Sequence, residues 1–365
     1  MICELKQLSI IFFLFVLLSS CTEQTTPHSQ KNPITLAYAK NFRLDSLDIG
    51  IKLSIGENGG RQWHFLLSKE KPTQLPSGCT WIKTPVQRML TLGGTDIGML
   101  SLLHQEDRIC GVSDRRTVYN SKVLARIATE KIIDFGNQDQ LSVERILLSK
   151  AQVISYSSFG KDFPHEKELA LAGILCLPIL DWKEQHPLGK AEWLKVYGYL
   201  LGKEIKANAM FSQTAENYNR LKAESKKKHI KTKVFSGNQT GDIWFCPAGD
   251  SYEAQLIADA GGNYTYKNTR GTGSLSLTPE KVFTDNRQSS IWINPEAASY
   301  TELLQKQPKA MHFNAFTDKK VFCYSANMNK YWETAACQPD KVLSDLLTIF
   351  ENKDPKGLYF YAPLK

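Results

Sequence analysis

The residues with the chemistry to build a site are dispersed, and none of them forms a catalytic constellation. Gly271-Thr272-Gly273-Ser274 has the glycines of a phosphate cradle, but not the spacing of a dinucleotide fingerprint nor a helix to open. Leu92-Gly93-Gly94-Thr95-Asp96 lies between an expected strand and an expected helix, where backbone N–H groups could hold an anion. A tight turn is the simpler account of those residues. His165 with Glu166 and Glu168 could imitate a metal or proton-relay site, though a solvated helix start explains them as well, and the other histidines are scattered. No G-x-S-x-G elbow, H-E-x-x-H helix or Walker loop occurs. Cys79, Cys110, Cys176, Cys246, Cys323 and Cys337 include no C-x-x-C pair and no zinc-ligand spacing. The apolar surroundings of Cys110 and Cys176 point to buried free thiols, with Cys323 and Cys337 the nearest candidates for a disulfide. Nothing in this set argues for an enzyme.

One further cysteine does have a chemistry. Residues 8–18 are an apolar run preceded by Lys6 and followed by Ser19-Ser20. At ~1.5 Å per residue the run covers about half of a hydrocarbon core, so it reads as a secretory signal peptide and not as a span. Leu18-Ser19-Ser20-Cys21 resembles a bacterial lipobox, in which the cysteine thiol is diacylated through a thioether and the new amino group is acylated too. At ~0.8 kcal/mol per buried CH₂, two or three acyl chains anchor a protein durably. Residues 1–20 are then removed, residues 21–33 form a polar tether, and the mature chain faces the periplasm or the cell surface from a membrane. Lipid is the only covalent group expected.

The elements that must position any site follow from composition and pattern. The chain has 365 residues, 42% of them hydrophobic and 22% charged, with a mean hydropathy of −0.32. Those values exclude a disordered chain and a polytopic membrane protein, and the length allows two or three domains. The net charge of +8 is spread thinly and makes no case for nucleic acid. Alternating stretches over 34–84, with Asn58-Gly59-Gly60 as a hairpin turn, predict a small antiparallel β preface.

From Pro85 the grammar becomes β/α. Strands are expected over 86–92, 108–112, 153–156 and 175–180, with helices over 95–103, 142–149 and 166–172. Residues 186–228 contain no strand and predict helices over 190–201 and 205–225, the second a candidate spine between two lobes. Strands over 232–236, 290–294 and 321–324 and helices over 252–260 and 341–350 then restore the pattern. The fold class is therefore α/β. Residues 85–185 and 229–365 are expected to form two Rossmann-like lobes joined by the long helix of 186–228.

That order of elements resembles the helical-spine class of ABC-transporter substrate-binding lipoproteins, which carry iron–siderophore complexes, haem or cobalamin. The resemblance rests on Arg88-Met89-Leu90-Thr91-Leu92, Arg108-Ile109-Cys110-Gly111-Val112-Ser113 and Leu141-Ser142-Val143-Glu144-Arg145-Ile146-Leu147 in the first lobe. His186-Pro187-Leu188-Gly189-Lys190-Ala191-Glu192-Trp193 with Gly202-Lys203 is similar to the start of the spine. Ile257-Ala258-Asp259-Ala260-Gly261-Gly262, and Tyr331-Trp332-Glu333 with Pro339-Asp340-Lys341-Val342-Leu343, match the second lobe, notably in Bacteroidetes-like members. The preface has no counterpart in the smallest members.

The resemblance implies a monomer that captures a small metal complex in a largely preformed ligand cleft between the lobes and delivers it to an ABC permease and its ATPase. An iron complex, either a ferric siderophore or haem, is the leading ligand. Cobalamin or another corrinoid on the same fold is the alternative, as is a surface lipoprotein that captures ligand for an outer-membrane receptor. Such ligands need aromatic walls, and loops near strand ends offer Trp244 with Phe245, Tyr252, Tyr331 and Trp332 from the second lobe. Tyr119, Phe159 and Trp182 are the first-lobe counterparts. Asn120, Asn327 and Asn329 could bond ligand oxygens, and Arg116, Arg115 and Arg270 could face an anionic chelate. One acidic residue per lobe docks such proteins on the permease. Asp250 matches the second-lobe position, and Asp162 and Glu166 share the first-lobe match. Asp250 could also serve simply as a helix N-cap.

Overall fold

The computed structural model describes residues 30–56, 59–136, 141–158, 163–324 and 327–365. The expected signal peptide and the expected lipidation site at Cys21 lie outside the described residues, as do Phe159, Asp162 and the Asn58 end of the expected hairpin turn. Among the described residues no helix is long and apolar enough to cross a membrane.

Period-two alternation builds the preface. Strands β1 (Gln30–Ile34), β2 (Phe42–Leu47), β3 (Gly50–Gly56), β4 (Gln62–Ser68) and β5 (Cys79–Lys83) lie side by side in chain order. Phe42, Leu44, Leu53, Ile55, Phe65 and Leu67 are buried against the hydrophobic core of the first lobe. Two expectations change here. The end of the tether is an edge strand, because Pro33 and Ile34 pair with Asp45 and Leu44. The sheet is also not wholly antiparallel, since β4 and β5 run parallel. Residues 69–78 between them are long enough to carry the chain back to the start of the neighbouring strand, which a tight hairpin turn could not do.

The first lobe is a parallel sheet in the order β10-β9-β6-β7-β8. Its strands are β6 (Met89–Thr91), β7 (Ile109–Val112), β8 (Ile133–Asp134), β9 (Val153–Ser157) and β10 (Leu175–Ile179). Nearly every residue of β6, β7, β9 and β10 is buried, as a sheet covered on both faces requires. The helix Ser121–Ala128 and strand β8 carry too little pattern to be read from sequence, for the helix buries only Val123 and Ile127.

The spine is helical as expected. Pro187–Glu192 and Leu194–Leu201 precede the 25-residue helix Glu204–Lys228, about 37 Å long at ~1.5 Å per residue. Ala207, Phe211, Tyr218 and Ser225 make its buried stripe, and Lys226, Lys227 and Lys228 sit in the last turn, where cations suit the helix dipole.

The second lobe contains β11 (Lys233–Ser236), β12 (Asn238–Thr240), β13 (Ile243–Pro247), β14 (Asn263–Tyr264), β15 (Ser274–Leu277), β16 (Ile291–Ile293), β17 (Val321–Cys323) and β18 (Ala362–Pro363). Its main sheet runs β14-β11-β16-β17-β18, parallel except for β18. An antiparallel side sheet of β12, β13 and β15 was not anticipated. Cys79, Cys110, Cys176, Cys246, Cys323 and Cys337 are all free, so no Cys323–Cys337 bond forms.

Buried carboxylates fasten the preface to the lobe. Glu192, fully buried, accepts the N–H groups of Ala37, Tyr38 and Ala39 at 2.8–3.0 Å and pairs with Lys195 at 2.8 Å. Glu184 accepts those of Lys40 and Asn41 and the Trp193 indole N–H at 3.0–3.1 Å. Removing the Glu192 carboxylate orphans three backbone donors and the buried Lys195 ammonium at once. We expect Glu192→Ala to lower unfolding free energy in urea by about 3 kcal/mol or more, with Glu192→Gln intermediate.

Candidate ligand cleft between the lobes

Parallel strands direct their C-terminal ends, and the loops that follow them, towards the seam between the lobes. Helix Gly94–Leu102 follows β6 in the first lobe, and helix Met328–Thr334 follows β17 in the second. The two approach so closely that a Cβ built on Gly98 would stand 1.9 Å from the Glu333 carbonyl oxygen. Glycine is needed there for space alone. The buried Glu333 carboxylate crosses the seam to accept the N–H groups of Tyr119 at 2.7 Å and Asn120 at 3.1 Å. Asn329 Nδ2 donates to the Arg116 carbonyl at 2.7 Å, and Thr95 Oγ1 to the Trp332 carbonyl at 3.4 Å.

A pocket of about 540 Å³ opens between the lobes. Trp182, Lys183, Glu184 and Gln185 line it from the first lobe, Lys40 and Asn41 from the approach to the preface, and Thr272 from the second lobe. Trp182 is 37% exposed and donates its indole N–H to the Ser158 carbonyl at 3.2 Å, which fixes the ring's tilt. Lys183 Nζ lies 5.4 Å from the centre of that ring. Lys40 and Lys183 went unremarked in the sequence because a single lysine in a loop carries no pattern. Among the described residues no cluster of three or more His, Cys, Asp and Glu could hold a metal ion.

The residues expected at the cleft divide into several groups. Trp332 is 57% exposed and Tyr119 49%, and the contacts of Asn329 and Glu333 bring them to the same part of the seam. The Arg116 guanidinium is exposed but chelated by Asp114 at 2.6–3.0 Å. Asn120 is committed elsewhere: its Oδ1 caps helix Ser121–Ala128 through the Lys122 and Val123 N–H groups, and its Nδ2 donates to Ser101. Asn327 is half-buried at the N-cap position of helix Met328–Thr334.

Tyr331 and Trp332 do not lie in a loop but on that helix, where neighbouring positions point about 100° apart. Tyr331 therefore faces inward, buried and stacked on Tyr324 at 3.9 Å, while Trp332 faces out. Trp244 and Phe245 likewise lie within β13 and not after a strand. Alternation sends Trp244 into the second-lobe core, 2% exposed, and leaves Phe245 at the surface. Trp244 consequently offers no face to the cleft. Tyr252 is half-buried, its ring 4.8 Å from Lys190 Nζ.

At the expected docking positions, Asp250 is not the N-cap of helix Tyr252–Asp259. Ser251 fills that role by accepting the Ala254 N–H at 3.2 Å. Asp250 instead accepts the Gly271 N–H at 3.0 Å, with Arg270 3.8 Å away, and so holds the loop that carries Thr272. Glu166, half-buried, opens helix Glu166–Leu171.

Residues 90–328 match the model of a family described as periplasmic binding protein, and that span is more than half of the chain. The chain belongs to this family. Its members bind solutes for ABC transporters and are not enzymes. The uncharacterized lipoprotein MJ0878 of Methanocaldococcus jannaschii is 26% identical over 367 residues, covering 91% of this chain and 85% of that protein. A periplasmic binding protein from Veillonella parvula superposes with a TM-score of 0.62 at 12% identity, covering 83% of this chain and 99% of that one. A periplasmic haem-binding protein from Pseudomonas aeruginosa does so with a TM-score of 0.59 at 16% identity, covering 77% and 98%. At such identities the structural matches establish the two-lobed architecture of a periplasmic binding protein and leave the ligand open.

The first-lobe helix start that could hold an anion is already occupied by the protein itself. Asp96 accepts the hydroxyls of Ser155 and Tyr197, each at 2.6 Å, and the Gly93 N–H at 3.3 Å. Burial nevertheless pushes its carboxyl up to about 6. A carboxyl raised above its unfolded value stabilises the fold fully below about pH 4, and loses that contribution as pH rises through 6. Between pH 4 and 7.5 we expect the wild-type periplasmic binding protein to lose on the order of 3 kcal/mol relative to Asp96→Asn, measured by urea unfolding at each pH.

Proposed function

We propose that this chain is a lipid-anchored periplasmic binding protein that captures an anionic iron complex, a ferric siderophore or haem, between its lobes and delivers it to an ABC importer. The observation that carries this reading is the pocket at the seam, with Trp182 as an aromatic wall and Lys40 and Lys183 as cations beside it. Trp332 and Tyr119 offer further exposed rings near the seam. Flat or greasy ligands bind through ring faces, and fixed cations favour a net negative complex over an uncharged corrinoid. The lipoprotein relative supports the anchor at Cys21.

Tryptophan-fluorescence titration of the purified protein with ferric siderophores, haemin and cyanocobalamin tests this reading. Saturable quenching by an iron complex is expected, weakened about tenfold in Trp332→Ala or Trp182→Ala with melting temperature unchanged. Lys40→Glu with Lys183→Glu should weaken the anionic iron complex selectively. Quenching by cyanocobalamin alone would replace the iron reading with the corrinoid one, and no quenching by any of the three would sink both.

Docking on the permease is assigned to Asp250 on the second lobe and Glu166 on the first, both partly exposed next to helix starts. Charge reversal of both is expected to abolish ligand uptake by cells, and the single reversal at Glu166, which leaves the Asp250 hold on the Thr272 loop in place, to impair uptake with binding in solution intact. Uptake that survives the double reversal would favour a surface-capture role that serves no permease.

A further inference from the structure

The positive charge of the chain is gathered at one end of the second lobe. Residues 226–233 carry five lysines and no acid, against a net charge of +8 for the whole chain. They close the spine helix and lead into β11. His229 takes the left-handed conformation at the helix C-cap, with φ 49°, and reverses the chain there. A Cβ built on Gly261 would stand 2.8 Å from Ser225 Oγ and 3.0 Å from Ile230 Cβ, so the last helical turn and the entry to β11 lie together.

Topology enlarges this cluster. Strands β14, β11, β16 and β17 are parallel, so the segments that enter them share the edge of the sheet remote from the cleft. A pocket of about 380 Å³ at that edge brings Lys233, Lys267 and Arg287 together. Lys226, Lys227, Lys231, Lys233, Lys267 and Arg287 are all exposed, and among the described residues none of them pairs with a carboxylate. The nearby acids are already engaged. Glu351 pairs with Lys228 at 2.6 Å and Lys353 at 2.5 Å, and Asp285 with Lys281 at 3.0 Å. Asp318 is followed by Lys319 and Lys320, and Asp354 is flanked by Lys353 and Lys356.

A helix dipole favours cations in the last turn, but that effect ends within the turn and does not reach Lys231, Lys233, Lys267 or Arg287. Unpaired like charges held together repel one another, and an extended anionic surface relieves all of them at once. Clusters of about four to eight Lys and Arg are drawn to anionic phospholipid in this way, over a range of about one Debye length. In the proposed lipid-anchored role, on which this inference rests, residues 21–29 reach at most about 30 Å, which keeps a bilayer within range of the folded chain.

We propose that this pole of the second lobe is a docking surface for anionic phospholipid, a reversible membrane contact that acts beside the acyl anchor. One anchor and one basic patch reinforce each other. Helix Tyr252–Asp259 runs from the cleft edge, next to Asp250, to Gly261 at the pole. Contact at the pole therefore leaves Asp250 and the pocket beside Trp182 uncovered, so the chain can rest on the membrane with its cleft open to ligand.

The test uses the mature chain, residues 21–365, with Cys21→Ser so that no acyl group contributes. Cosedimentation is expected with phosphatidylcholine vesicles that contain about 30% phosphatidylglycerol at about 0.1 M salt, with none on pure phosphatidylcholine and loss at about 0.5 M salt. Lys227→Glu with Lys231→Glu and Lys233→Glu should weaken this binding at least about fiftyfold. The same charge change on exposed residues elsewhere, Lys69→Glu with Lys71→Glu and Lys131→Glu, should weaken it less than about threefold. Anionic vesicles should also protect Lys231 and Lys233 of the wild-type chain from acetylation relative to Lys69 and Lys71, which decides the matter if the pole variant does not fold. The proposal is overturned by no cosedimentation with anionic vesicles, by equal binding to phosphatidylcholine, or by equal weakening in the two sets of variants. Haemin quenching should be unchanged in the pole variant. Failure of wild-type protein to bind any cleft ligand, or absence of acyl groups on Cys21 of the exported protein by mass spectrometry, would count against the anchored importer reading and leave the vesicle result standing.

Discussion

The structure depends on one recurring interaction, a buried carboxylate that collects the backbone N–H groups of successive residues in a distant loop. Glu192 holds 37–39, Glu184 holds 40–41, Glu333 holds 119–120 across the seam, and Asp345 holds 359–361 at 2.6–3.1 Å. Each carboxylate is at most 4% exposed, so its desolvation is expensive. Burial pushes Glu184, Glu333 and Asp345 up from the ordinary carboxylate range, and the N–H donors pull back in the opposite direction. A loop whose N–H groups converge on a carboxylate needs no sheet or helix to satisfy them. That is how irregular segments are fixed where the lobes, the preface and the spine meet.

Fixing those segments sets how the cleft can bind. The close approach at Gly98 and the Glu333 clamp hold helices Gly94–Leu102 and Met328–Thr334 together, while Glu204–Lys228 packs on the first-lobe core through Ala207 and on the second-lobe core through Phe211 and Tyr218. Tyr38, from the segment held by Glu192, stacks on His186 at 4.8 Å and receives the Asn219 side chain of the spine at 2.9 Å. Hinge motion large enough to wrap a ligand would have to break several of these contacts. In the proposed role little binding energy would then be diverted into closure, and selectivity would rest on the pocket residues Trp182, Lys40 and Lys183.

Most of the architecture was legible because it is written in local pattern. Apolar strand runs, the amphipathic period of 142–149 and the unbroken helical period after Gly202 all act within a few residues. The clamps were not legible, because Glu192 and Ala37 are 155 residues apart and Glu333 and Asn120 are 213 apart. Glu333 was read beside Tyr331 and Trp332 as part of a motif, yet nothing local reveals that its carboxylate is satisfied by the other lobe. Asn120 was misjudged for the reverse reason. Its local role as a helix cap consumed the acceptor that a ligand would need, and the short helix it caps left too faint a pattern to be noticed.

The aromatic residues show how finely side-chain direction divides function. Trp244 and Phe245 are neighbours on one strand, and Tyr331 and Trp332 neighbours on one helix, yet in each pair one ring is buried and the other exposed. Composition and loop proximity treat the members of a pair alike, whereas the period of the element separates them. The outward member can meet a ligand of varied shape through its ring face. The inward member is enclosed, and when it carries a polar edge that edge must find a partner of defined geometry. Trp332, at the seam, is suited to tolerant stacking. Trp244 instead packs among Phe235, Trp292 and Phe313 in the second-lobe core. Strand and helix parity thereby divide each aromatic pair between the core and the surface.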